Sequence, residues 1–76
     1  MYANLFFNND EFVFGRLVGT EDLTKVMLVP TGSDEYSKRH SLMLQLKSKW
    51  TAHLAPMDVV VLDRNNAPAR LEVCGK

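Results

Sequence analysis

The segment "SKRHSLMLQLKSKW", residues 37–50, decides the fold, because it can be read as a strand or as a helix. As a strand, Leu42, Leu44 and Leu46 face one way, and Met43, Gln45 and Lys47 face the other, a clean period of two. As a helix, Tyr36, Met43, Leu46, Trp50 and Leu54 share one stripe. Ser33 would be its N-cap, Asp34 and Glu35 would fill its first turn, and Pro56 would stop it. The helix would also put Arg39 and His53 inside the apolar stripe and Leu44 opposite it. The strand is preferred, followed by a short helical turn over 48–54. A single helix over 34–54 is the alternative.

Outward from this segment, Gly, Pro and Asn punctuate short apolar runs. "ANLFF" is a brief run closed by the turn cluster "NND". "EFVFGRLVG" reads as a strand over 11–19, with Gly15 marking a bulge or sharp bend. "KVMLVP" gives a strand over 24–29. "MDVVVLDR" has four consecutive aliphatics, as in a barrel wall, and gives a strand over 58–63. "NNAP" turns the chain into a last strand over 69–74, with Leu71 and Val73 on one face. The expectation is one domain, residues 1–76, mainly β: a small five- to six-stranded OB-like or SH3-like barrel with one short helix. The alternative is an α+β fold, an antiparallel sheet with one helix at 34–54.

Composition narrows the class. The chain has 76 residues, is 46% hydrophobic and 24% charged, and carries one cysteine. That is globular composition without an internal disulfide, which excludes a disulfide-stapled secreted scaffold. No run approaches the ~18 apolar residues of a membrane span, and "MYANLFFNND" lacks the basic start of a signal peptide. A cytoplasmic protein with no membrane partner is expected. Formal net charge is zero, which weighs against strong non-specific binding to duplex DNA. The charge is uneven, however: residues 1–36 hold six acids and two bases, and residues 37–76 hold seven bases and three acids. Such asymmetry points to a polar partner, unless the halves interleave in the fold and cancel.

With the strand reading, "LAPMDVVVLDRNNAPARLEV" resembles the Leu-x-Pro-Gly-Asp-x-Val-x-Val pattern, turn and final strand of the cold-shock and initiation-factor-one-like OB-fold proteins. Pro56, Asp58, Val59 and Val61 match in type and spacing, and Met57 stands where that family usually has Gly. "SLMLQL" falls where its third strand would lie. "ANLFF" is extra to the plan, an added strand or a dimerisation arm. The resemblance implies single-stranded nucleic acid held on the face of strands two and three, with a base stacked on Phe12 or Phe14.

Single-strand binding needs flat rings for bases and cations for phosphates. The candidate binding residues are Arg16, Lys38, Arg39, Lys47, Lys49 and Trp50. Lys47 and Lys49 are two apart and would share one outer face of a strand. Against this, Trp50 is expected in the core, and so are Phe12 and Phe14. Enzyme readings find little footing, so no catalytic residue, metal site or cofactor is expected. His40 and His53 lie thirteen apart without neighbouring ligands. Cys74 reads as a small buried hydrophobe.

Two functional expectations follow. The first is a non-catalytic barrel that binds single-stranded DNA or RNA through the basic segment 38–49. The second is a protein-interaction module of phage or mobile-element type, an inhibitor or adaptor of a host protein. It would dock through the acids Asp10, Glu11, Glu21 and Asp22. A homodimer paired through "NLFF" is compatible with either.

Overall fold

Alternation of inward- and outward-facing residues sets the walls of the molecule. The computed structural model describes residues 1–31, 40–48 and 56–75. Its elements are β1 (Tyr2–Phe7), β2 (Phe12–Gly19), β3 (Lys25–Pro30), β4 (Leu42–Leu46), β5 (Met57–Val61), a 3-10 turn (Leu62–Arg64) and β6 (Ala67–Gly75). Each strand pairs antiparallel with the next, and β6 returns to β1, so the sheet closes on itself as a barrel.

The small β-barrel expected from the sequence is therefore present. Residues 42–46 form a strand, so a continuous helix over 34–54 does not exist. The physical reason is the period of the leucines. Leu42, Leu44 and Leu46 all point inward from β4 and are buried, which a helix could not achieve for Leu44. The helical turn expected over 48–54 lies almost wholly outside the described residues. The extra "ANLFF" segment is β1, an added strand. Both of its edges are used within the chain, by β2 and by β6, so it has no free edge for pairing across a two-fold axis. Among the described residues no helix is long and apolar enough to cross a membrane.

The interior is filled by Ala3, Leu5, Leu17, Val26, Leu28, Leu42, Leu44, Leu46, Val59, Val61, Ala69 and Leu71. Full burial of each leucine or valine contributes roughly 1.5–3 kcal/mol before entropy is counted. Gly15 also faces inward, between Ala3 of β1 and Pro30 of β3. A Cβ there would stand 2.3 Å from the Val29 carbonyl oxygen. Gly15 thus marks a close approach of the β3 backbone to β2, and no register shift interrupts either of its pairings there. The register irregularity lies elsewhere, between Tyr2 and Ala3 where β1 meets β6.

The hairpin turns follow their sequences. Asp10 N–H donates to the Phe7 carbonyl (3.3 Å), Phe7 N–H donates to the Glu11 carbonyl (2.9 Å), and Asp10 is left-handed at φ 68°. That is a type I turn followed by an αL residue. Between β5 and β6, Asn65 and Asn66 are both left-handed, at φ 57° and 59°. Asparagine accepts this conformation better than most residues. The Asp63 carboxylate accepts from Met43 N–H at 2.8 Å, tying the 3-10 turn to β4.

Candidate nucleic-acid interface

The parity of β2 decides which side chains meet solvent. Val13, Gly15 and Leu17 turn inward, so Phe12, Phe14 and Arg16 turn outward. This corrects the expectation that Phe12 and Phe14 belong to the core: they are 62% and 40% exposed. The interior is already filled by aliphatic side chains, and a six-stranded barrel has little room for two further rings.

The neighbouring strand completes the feature. Tyr2, Asn4 and Phe6 point outward from β1, opposite Arg16, Phe14 and Phe12 respectively. Phe6 and Phe12, a directly opposed pair, have ring centroids 5.8 Å apart with planes tilted by 32°. Tyr2 and Phe14, a diagonal pair, also lie 5.8 Å apart and are nearly parallel, at 8°. Sheet twist brings diagonal neighbours within reach of each other's rings. Tyr2 is 43% exposed. Two ring pairs therefore line the outside of one hairpin, with Asn4 between them.

Cations flank the rings. Arg16 is exposed on β2, opposite Tyr2. Arg70 is exposed on β6, opposite Phe6. Glu72 lies beside Asn4, and the Asn4 amide nitrogen donates to Cys74 Sγ at 3.3 Å. Cys74 is exposed, correcting its expected burial; it follows inward-facing Val73 and so turns outward. At the hairpin's end, the Arg64 guanidinium lies 4.4 Å from the Phe7 ring centroid and 4.0 Å from the Glu11 carboxylate.

Of the cations and the ring expected to form the site, Arg16 and Lys47 are described. Lys38, Arg39, Lys49 and Trp50 lie outside the described residues. Arg16 and Lys47 do not meet. Arg16 pairs with Val29 of β3, whereas Lys47 lies beyond Gln45, which pairs with Lys25 near the other end of that strand. Lys47 is highly exposed and ion-paired with Asp58 at 3.9 Å. The acids at the two turns are also separate: Asp10 and Glu11 precede β2, while Glu21 and Asp22 follow it.

The described bases of the second half, Lys47, Arg64 and Arg70, are matched by Asp58, Asp63 and Glu72. Its positive surplus therefore rests on Lys38, Arg39, Lys49 and Lys76, outside the described residues. Sequence reading missed Tyr2, Phe6 and Arg70. The available signal was Arg16, an obligate surface residue on the same parity as Phe12 and Phe14. Among the described residues no group of three His, Cys, Asp or Glu side chains is placed to hold a metal ion. No family model, curated protein or solved structure matches the chain.

Proposed function

We propose that the chain is a non-catalytic binding protein that takes single-stranded DNA or RNA on the outer face of β1 and β2. The observation that carries this reading is the set of four outward rings, Tyr2, Phe6, Phe12 and Phe14, bordered by Arg16 and Arg70. Every base has a π-face, so stacking on such rings is tolerant of sequence and contributes about 1–3 kcal/mol per base. The two arginines supply cations for adjacent phosphates and can themselves stack. This moves the centre of the site from the basic segment 38–49 to the first hairpin.

Fluorescence anisotropy with labelled oligothymidylate and oligouridylate at low salt tests the proposal. Phe14→Ala should weaken binding by about five- to a hundredfold, the loss of one stacked base. Losing the ring pair with Tyr2 should cost about 0.5–1.5 kcal/mol and lower the melting temperature by several degrees, while unfolding stays cooperative. With Arg16 and Arg70 as the phosphate contacts, log K should fall against log salt with a slope of about −1.4. A steeper slope would bring Lys38, Arg39 and Lys49 into the contact. The absence of binding to any single-stranded oligonucleotide would contradict the proposal.

One observation favours a second reading. Exposed Tyr and Phe beside Arg is also the composition of protein-interaction hot spots, and Glu72 sits among these rings. The chain would then be an interaction module, of the phage or mobile-element type, acting on a host protein in the cytoplasm. Nuclease treatment of a pulldown separates the two. Capture that survives nuclease and is lost in Phe14→Ala supports the protein partner.

A further inference from the structure

A groove of about 640 Å³ opens on the outer wall beside the aromatic face, lined by Phe6, Asn8, Gln45, Lys47, Asp58 and Arg70 among others. It shares Phe6 and Arg70 with that face. Register makes the two surfaces continuous: Asp58 pairs with Arg70, Arg70 with Phe6, and Phe6 with Phe12. Lys47 adjoins Asp58 through their ion pair. The row Lys47–Asp58–Arg70–Phe6–Phe12 thus crosses five strands, about 19 Å at ordinary strand spacing. Cations stand at two points of the row and rings at its far end. Within the groove, the Gln45 amide nitrogen donates to the carbonyls of Thr24 (3.2 Å) and Leu46 (3.4 Å). These two bonds fix which end of the amide is the oxygen, and leave that oxygen as an oriented acceptor.

We infer that this groove carries the continuation of the single strand whose bases stack on β1 and β2, and that Asp58 acts there as a built-in competitor for the phosphates. This rests on the nucleic-acid reading of the aromatic face. Asp58 and Lys47 have side chains that are 74% and 82% exposed, so no burial requires their pairing. The carboxylate occupies the cation that a phosphate would use, and repels a phosphate held by Arg70 one strand away. The groove is therefore built to bind with restrained affinity, and loss of one negative charge releases it.

The test uses the intact chain, with an oligothymidylate tetranucleotide and decanucleotide as probes and anisotropy as the readout. Asp58→Asn keeps the side-chain shape and removes the charge. It should tighten the decanucleotide by about two- to fivefold at low salt and make the salt slope steeper by about 0.7, one added phosphate contact. The tetranucleotide, which the ring pairs alone can hold, should gain less. Lys47→Ala should do the reverse with the decanucleotide. If Asp58→Asn leaves both probes unchanged, or weakens them, while Phe14→Ala still weakens binding as expected, the groove inference is wrong and the stacking face stands. If wild-type protein binds neither probe, both fall.

Discussion

A methyl group on Gly15 would press on the Val29 carbonyl oxygen at 2.3 Å and on the Pro30 Cα at 2.8 Å. Both are backbone atoms and cannot swing aside. Gly15→Ala is expected to cost at least the 1–3 kcal/mol typical of overpacking, which for a domain of this size lowers Tm by roughly 4–8 °C per kcal/mol. Asp10 presents the opposite case. It holds φ 68°, which glycine adopts without a Cβ penalty. Asp10→Gly should raise stability by up to about 1 kcal/mol, read as a higher melting temperature. Arg16 matters at this scale for its parity. A charged residue rarely turns into so narrow an interior, so it reports the direction of Phe12 and Phe14.

Among the elements, the β2–β3 loop is organised by one carboxylate. Asp22 accepts from Thr24 N–H (2.9 Å) and the Thr24 hydroxyl (2.6 Å), and Lys25 lies 3.7 Å away. The Thr24 hydroxyl, then its backbone N–H, hold the Asp22 carboxyl below its ordinary value of 3.8. A carboxylate favoured in the folded state contributes stability above its unfolded pKa, and that contribution is lost as pH falls through the folded value. Wild type should therefore be more stable than Asp22→Asn near neutrality, with the difference shrinking below about pH 4. Urea unfolding at both pH values checks it.

The strands themselves were legible in the sequence. The leucines of β4 and the valines of β5 repeat with the period of a strand, and Asn and Asp mark the turns. The direction of β2 was not, because both of its faces hold large apolar residues. Phe12, Phe14 and Val18 compete there with Val13 and Leu17, and hydrophobicity alone favours the larger rings for the core.

For the whole molecule, closure is the property that holds the rest in place. β1 joins β2 to β6, and deleting residues 1–9 would leave two exposed strand edges and remove Ala3 and Leu5 from the core. The truncated chain should lose cooperative unfolding and associate on size-exclusion chromatography. The sequence signalled a small barrel, but the brevity of "ANLFF" hid its role. Its pairing with β6 joins residues about seventy positions apart, and no local pattern reports a contact of that range. For the same reason the aromatic face was not visible: Tyr2 and Phe6 lie on one strand, Phe12 and Phe14 on another, and Arg70 on a third. The basic segment was visible because its charges are adjacent in sequence, yet Arg16 and Lys47 do not come together.

Amide NMR shifts followed during titration with a short single-stranded oligonucleotide test the central claim most directly. The account predicts changes concentrated at Tyr2, Asn4, Phe6, Phe12, Phe14 and Arg16, extending to Arg70. Shifts confined to β3 and β4, or no shifts at saturating oligonucleotide, would contradict it.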